Sequence, residues 1–439
     1  MQAWLDRYFG LTEKGVTVRT EVLAGFTTFL SMSYIVLVNP AILSQAGLPI
    51  VAVAAATCAS AAFASILMGL LANYPLALAP GMGLNAYFTF TVVKGMGVPW
   101  ETALGCVFIS GIVFLLMTFV GIRQLIVNSI PRPLYSAVAA GIGLFIAFIG
   151  LKEAGIIVAH PATTVTLGNL HSPAPLLALF GLAVIAVLNI LRVQGAVVLG
   201  ILLTTALAWV FGVTSFTPQP YNFSELTETA FKLDIGAALH IGGGGFGILE
   251  IIFVFLFVDL FDNVGTLVGV TKEAGLVKAD GTIPRLNRIL LADSIATIFG
   301  SFMGTSTVTS YVESATGVAA GGRSGLTAVV TGLFFLLVLF FAPYAQVIPA
   351  AATAPALILV GSLMMASVTE IDWKDPLVAL PCFLTLAGIP LTFSIANGLA
   401  FGLTAYALLK LLSGKATKGD AMLFVLAALF VFRFAYLSE

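Results

Sequence analysis

The sequence predicts an all-α polytopic membrane protein whose fourteen segments form two inverted groups of seven, with the third and tenth segments broken. Three observations carry this: the composition, the spacing of the apolar runs, and the alternation of basic residues between successive loops. With 439 residues, 59% hydrophobic, 9% charged and a mean hydropathy of +1.09, the chain lies outside the soluble globular range. Its net charge of -1 gives no basic surplus for nucleic acid and no acidic tail for a soluble partner, so the main partner is the lipid bilayer.

Apolar runs, each able to cross a hydrocarbon core of about 30 Å as a helix, cover 23–45, 50–72, 74–93, 101–121, 134–152, 174–192 and 195–213. After a polar stretch at 214–245, seven more cover 247–270, 284–303, 305–322, 326–344, 350–368, 376–393 and 395–412. A last run, 421–438, is either an extra crossing or a surface helix. Cytoplasmic loops hold the excess of Lys and Arg. With the N-terminus cytoplasmic, only Lys94, Lys152 and Lys232 of the 19 Lys and Arg fall in outside loops, Arg433 being unassigned. Seven is odd, so the second group enters from the opposite side, the topology of an inverted repeat and of many secondary transporters. The N-terminal MQAWLDRYFGLTEKGVTVRTE carries acids among its bases and has no early apolar run, which fits a short cytosolic amphipathic segment rather than a signal peptide.

Two segments cannot be simple helices. In the third, YPLALAPGMGLNAYFTFTVV, Pro80, Gly81 and Gly83 interrupt the helical ladder halfway across. The tenth, GTSTVTSYVESATGVAAGG, opens with Thr305 to Val312, which favours extended backbone. Broken backbone at membrane depth is tolerated only inside protein or along a wet cavity, and matching breaks in two halves point to a substrate site. Asn85 and Ser314 are then expected as N-caps of half-helices beginning at Ala86 and Ala315.

Four acids lie deep in spans: Asp259, Asp262, Asp293 and Glu313. Each ionised carboxylate at mid-bilayer costs about 2.5 to 3.5 kcal/mol on insertion scales, which argues for function. Asp259 and Asp262, three apart, share a helix face. Acids that repel one another in a poorly solvated place suit the gain and loss of a proton that a proton-coupled carrier needs. The competing role for Asp259 or Asp293 is to cap a broken segment. Other chemistries lack their residues. His160, His171 and His240 lie in or beside outside loops, there is no HExxH or GxSxG, and IGGGGFG (Ile241 to Gly247) lacks the Lys and Ser/Thr of a phosphate loop. No metal, cofactor or enzymatic role is therefore expected, and the three cysteines, each within an apolar run, are expected to be buried thiols. Phe26, Tyr87, Phe88 and Phe261, near the breaks, could stack on a flat ligand or simply fill the core.

APGMGLNAYF (79–88), FLFVDLFDNVGTLVGV (255–270), LLADS (290–294), GTSTVTSYVESATGVAAGGRSGLTAVVTG (304–332) and GFTTFLSMSYIVLVNP (25–40) resemble the AzgA-like purine permeases, a branch of the nucleobase-cation symporter group that also holds xanthine and uracil permeases. The resemblance covers nearly the whole chain. It implies the uracil-permease-like fold, with short strands in segments 3 and 10. It further implies a core domain at 23–121 and 246–345, a gate domain at 134–213 and 350–412, a cytosolic 1–22, an extracytoplasmic loop at 214–245 and a C-terminal apolar helix at 420–439. By motif, Asp262 and Glu313 become the principal substrate-binding or proton-linked acids and Asp293 an acid needed for function. Thr27 lies near the site and Asn85 follows the strand; from their places beside the breaks, Phe261 and Ser314 are also expected to contact the substrate. Uracil and xanthine relatives carry a histidine four residues after the segment-eight acid, where this chain has Thr266, so their proton route is not carried over and Asp259 becomes the candidate for part of it. The expected activity is import of purine bases, guanine and hypoxanthine ahead of adenine, with the proton as coupling ion, by elevator-like alternating access in the cell (inner) membrane. An adenine-preferring or broad purine carrier, and more remotely an anion exchanger of the same fold, are the alternatives. A homodimer through the gate domain is an expectation by analogy.

Overall fold

A transmembrane segment must satisfy its own backbone polar groups, because lipid offers none. The computed structural model shows how this chain does so; it describes residues 2–121, 126, 130–215, 222–239, 246–277 and 283–436. His240 and residues 241–245 of the glycine run lie outside the described residues. Among the described residues, nine helices are long and apolar enough to cross a membrane. Segment 8 is a helix over Phe246–Glu273, and segments 7 and 13 are the shorter Ala196–Val210 and Pro376–Leu391. The last apolar run is a helix, Ala421–Tyr436, packed on Ile395–Leu412, with Phe430 against Phe253 of segment 8.

Among the described residues four short strands interrupt the helices: β1 (Leu78–Pro80), β2 (Ile157–His160), β3 (Thr164–Leu167) and β4 (Val308–Ser310). β2 and β3 form an exposed hairpin between segments 5 and 6, which carries His160. β1 and β4 are the interruptions in segments 3 and 10, and they pair antiparallel with Ala79 opposite Thr309. Both are fully buried. Their extended form follows from local chemistry. The residue before a proline is pushed out of helical space, which fixes Ala79, and β-branched Val308 and Thr309 favour the pleat. The pairing continues beyond the strands through Gly81 N–H to Thr307 O (2.9 Å) and Tyr311 N–H to Ala77 O (3.0 Å).

The half-helices begin slightly earlier than the sequence suggests. Gly81 (φ -75°, ψ 122°), not Asn85, caps the helix Met82–Ala86, because the extended conformation imposed at Pro80 ends there. Beyond Ala86 the chain widens into five-residue turns over Tyr87–Gly95, a form that often marks functional sites. On the other side Glu313 occupies the cap position and Ser314 is the first residue of Ser314–Ala319. Ser314 Oγ instead accepts from Ala77 N–H (3.0 Å), tying this half-helix to the opposite strand.

Segment 1 begins at Val18, earlier than its apolar run. Charged Arg19 and Glu21 hide this start, yet Glu21 is fully buried. Its carboxylate accepts from the N–H groups of Arg323 (2.9 Å), Ser324 (3.1 Å) and Thr327 (3.2 Å) and from Thr327 Oγ1 (2.6 Å), capping the segment-11 helix Gly325–Val338. The N-terminal helix Gln2–Phe9 docks beside it: Phe9 and Leu11 bury against Leu326 and Val330, and Asn73 Nδ2 donates to Phe9 O (3.1 Å).

The helices sort into two packing groups. Arg132–Glu153 packs on Ala350–Met364 and Pro376–Leu391, with Pro173–Ile190, Ala196–Val210 and Ile395–Leu412 joining them. The other group joins Ile50–Leu71, Trp100–Val120, Leu286–Met303 and Gly325–Val338 to segments 1 and 8.

Small residues allow the closest approaches. A Cβ on Gly325 would overlap the Gly69 carbonyl oxygen and come within 2.8 Å of Asn73 Cα, both backbone atoms that cannot swing away. Gly325→Ala is therefore expected to lower stability by about 1–3 kcal/mol, as overpacking does. Gly269→Ala, with nothing within 4 Å of its Cβ position, should be neutral or stabilising. Thermal melts of both variants in one detergent check this, and equal melting would contradict it.

Candidate functional site

The strand pair converts two interrupted helices into one platform. Just past β4 the chain turns through Tyr311, Val312 and Glu313, and just past β1 through Gly81. Tyr311 is buried, and its hydroxyl donates to the Pro80 carbonyl, fastening β1 to the segment that carries Glu313. Glu313, half-buried, accepts from the Tyr34 hydroxyl at 2.5 Å through Oε1. Tyr34 reaches it because segment 1 tightens at Ser33–Tyr34. There Val36 N–H bonds Ser33 O (3.2 Å) and Leu37 N–H bonds Tyr34 O (3.0 Å), tight bonds beside the ordinary α bond from Val38 N–H to Tyr34 O (3.0 Å), ahead of Pro40 within Ile35–Leu43.

Segment 8 brings Asp262 to the same place. A Cβ on Gly81 would lie 3.6 Å from Asp262 Oδ2, so the absence of a side chain there lets the carboxylate meet the end of β1. Asp262 lies within electrostatic reach of Glu313 and of Asp293 from segment 9, and Tyr311 within reach of both Asp262 and Glu313. The acids from segments 8, 9 and 10 thus converge, with two tyrosine hydroxyls beside them. Asp293 is fully buried and Asp259, one turn before Asp262, is 2% exposed, whereas Asp262 and Glu313 are half-buried.

The remaining expected residues take supporting positions. Thr27 Oγ1 donates to Leu23 O (2.9 Å) in its own helix; one turn on, Ser31 Oγ donates to Thr27 O (3.1 Å) and is met by Thr316 Oγ1 at 3.0 Å. This links segment 1 to the half-helix after Glu313. Asn85 is fully buried, and its side-chain oxygen accepts from the Ser306 hydroxyl beside β4. Phe261 is 2% exposed and packs on Tyr135 of segment 5, ring centroids 4.7 Å apart. The structure therefore brings Asp262, Glu313 and Asp293 together and ties Asn85 and Ser314 across the strand pair, while Phe261 lies against segment 5. Sequence reasoning missed Tyr34 and Tyr311. Tyr34 ends the polar interruption SMSY in an apolar run and Tyr311 stands two residues before Glu313, yet a tyrosine in a membrane segment reads as bulk until its hydroxyl has a partner. Cys58, Cys106 and Cys382 are buried, with no disulfide.

A half-buried carboxylate oriented by one hydroxyl, with a second carboxylate from another helix beside the strand pair, can accept hydrogen bonds from a polar group or take up a proton. Known proteins agree on the class. Residues 19–400 match the model of the Permease family (Xan_ur_permease). The guanine/hypoxanthine permease PbuG of Bacillus subtilis is 46% identical, covering 99% of this chain and 100% of its own. The adenine permease AdeP of Escherichia coli is 45% identical, covering 100% of this chain and 97% of its own. In fold the chain is similar to the transmembrane domain of a cyanobacterium bicarbonate transporter, BicA, with a TM-score of 0.62 over 88% of this chain and 97% of that one, at 15% identity.

Tyr311→Phe removes the hydroxyl that fastens β1 while keeping the ring. The loss of this buried hydrogen bond is expected to cost about 1–3 kcal/mol, seen as a lower melting temperature in detergent; an unchanged melt would show that the strand pair does not depend on it.

Proposed function

Since this chain belongs to the nucleobase permease family, we propose that it imports purine bases together with protons, guanine and hypoxanthine ahead of adenine. The observation that supports this best is the placement of Asp262 beside the end of β1 and within electrostatic reach of Glu313, with Tyr34 holding one oxygen of Glu313. Guanine and hypoxanthine present an N1–H donor beside the 6-oxo group, and guanine adds a 2-amino donor. An ionised Glu313, its Oε1 fixed by Tyr34, accepts one or two charge-assisted hydrogen bonds from that edge. Adenine has a bare acceptor at N1. An ionised Glu313 facing it leaves two acceptors with no proton between them, a mismatch worth a factor of order 10⁴ in selectivity. A protonated Glu313 would donate to adenine N1, which is the second reading, and the similarity to an adenine permease keeps it in view.

Coupling follows from the same acids. Several carboxylates sharing a poorly solvated place cannot all remain charged, and a proton arriving with the base relieves their repulsion. Asp262 and Glu313 are assigned to substrate and proton, Asp293 and Asp259 to the proton. The packing groups support a division into a core (segments 1–4 and 8–11), which carries the site, and a gate (segments 5–7 and 12–14) past which it moves. The distribution of basic residues supports a cytoplasmic N-terminus, and a carrier of this kind is assigned to the cell (inner) membrane. The anion-exchange reading loses ground because carboxylates at the site repel anions, and the likeness to BicA concerns fold alone.

Uptake of radiolabelled hypoxanthine into purine-transport-deficient cells, with guanine, adenine, xanthine and uracil as competitors, tests this. Guanine should compete best, and a protonophore should collapse accumulation. Glu313→Ala should abolish uptake, and Tyr34→Phe should raise KM about tenfold by freeing the carboxylate. Normal uptake by Glu313→Ala would remove the base-reading role, and stronger competition by adenine than by guanine would favour the second reading.

A further inference from the structure

The two half-helices are related by the inverted repeat but are not equally covered. Met82–Ala86 is buried throughout, and Gly83 faces the gate-side helices, where a Cβ would lie 2.8 Å from Ile142 Cγ2 and 3.7 Å from Ile395 Cδ1. Around Ser314–Ala319, by contrast, Val312 is 55% exposed and Thr316 and Ala319 are exposed. The boundary between the two packing groups is thus sealed on the side of segment 3's half-helix. In the orientation proposed above, that is the outer side.

Two layers make the seal. The inner layer is Phe393, at the junction of segments 13 and 14, whose ring packs on Phe90 of segment 3 (5.9 Å) and on Phe145 (5.0 Å) and Phe148 (5.7 Å) of segment 5. Thr91 Oγ1 donates to the Phe393 carbonyl at 3.2 Å. Phe393 holds φ 52°, a left-handed conformation that a bulky residue keeps only where its surroundings over-determine it. The outer layer is polar. Gln45, at the end of segment 1, donates through Nε2 to Glu153 at the end of segment 5. Lys94, near the end of segment 3, donates to Gln45 Oε1 (3.2 Å) and stands 5.4 Å over the Phe90 ring, while Lys152 stands 5.4 Å over Phe393. Gln45, Lys94 and Phe90 belong to the group that holds the site; Glu153, Lys152 and Phe393 belong to the other.

We propose that Gln45, Lys94 and Glu153, with Phe393 beneath them, form an outer latch that joins the two moving bodies while the site faces the cytoplasm and parts in every transport cycle. The inference rests on the transport reading and on its orientation. The chemistry suits a latch rather than a permanent tie. An amide-to-carboxylate bond at the membrane surface exchanges for water on opening, so its net weight on the equilibrium is about tenfold, enough to bias a two-state carrier without trapping it. The aromatic layer below supplies no fixed polar bond except that from Thr91, so once the polar cap opens the rings can separate.

Paired cysteines test the proposal. The two side chains meet through their tips, so Gln45→Cys with Glu153→Cys calls for a reducible bis-thiosulfonate with a short spacer rather than a direct disulfide. Hypoxanthine uptake by the unsubstituted protein in proteoliposomes reports on the transport reading itself, and the unbridged double variant is the control for the bridge. Bridging is then expected to cut uptake by about tenfold or more, with recovery on reduction and with equilibrium binding of hypoxanthine in detergent retained; the single variants should ignore the reagent. Failure to bridge, or full-rate uptake by bridged protein, would overturn the latch while leaving the transport reading intact. Should the paired cysteines themselves stop uptake, Glu153→Ala decides. Removal of the acceptor should raise by about tenfold the rate at which an impermeant maleimide added outside labels a cysteine placed by Thr91→Cys; an unchanged rate overturns the proposal equally.

Discussion

The antiparallel pairing of Leu78–Pro80 with Val308–Ser310 is the constraint on which the rest of this structure depends. Two chain segments leave the helix halfway through a bundle, and each would strand polar backbone groups where there is no water to take them. They solve the problem for each other, and then fasten the result with side chains: Tyr311 to Pro80, Ser306 to Asn85, and Ser314 to the amide of Ala77. The ties run between the two halves of the chain, so neither break is stable without the other. This is how an inverted repeat makes one centre from two copies.

Chemistry follows from that platform. Each half-helix starts where extended backbone ends, so Gly81 and Glu313 are placed by the strands and not by their own helices. Asp262 from segment 8 meets the bare Gly81, and Tyr34 from segment 1 meets Glu313, so four segments contribute to one small polar space. Buried acids are costly in a membrane protein. Here part of that cost is offset by hydroxyls, Tyr34 donating to Glu313 and Tyr311 standing within electrostatic reach of both acids. The strands pack on the helices of one group, β1 on Ile50–Leu71 and β4 on Leu286–Met303 and Phe246–Glu273, so the platform and its acids belong to a single packing unit.

Much of this was legible in the residues. Pro80 next to Gly81, and the β-branched run at Thr305 to Val312, announced both breaks, because proline geometry and β-branching act locally. The four acids stood out because a carboxylate in an apolar run is expensive wherever it lands. What stayed hidden depends on partners far along the chain. Glu21 looked like part of a polar tail until Arg323, Ser324 and Thr327 arrived to cap themselves on it. Tyr34 looked like apolar bulk until Glu313 met its hydroxyl. Asn85 and Ser314 have the right chemistry for N-caps, but the strands set the starting points first, and the two side chains bridge the strands instead. Phe261 is next to Asp262 in sequence, but consecutive residues of an α-helix point about 100° apart, and its ring packs on Tyr135 of segment 5.

A structure of the purified protein with hypoxanthine bound, determined in lipid nanodiscs, tests the central claim most directly. The account predicts a flat density at the open side of the strand pair, its N1–H and 6-oxo edge within hydrogen-bond reach of Glu313, with Asp262 beside it and Tyr34 still on Oε1. A purine held elsewhere, with Glu313 and Asp262 untouched and the strand pair bare, would contradict it.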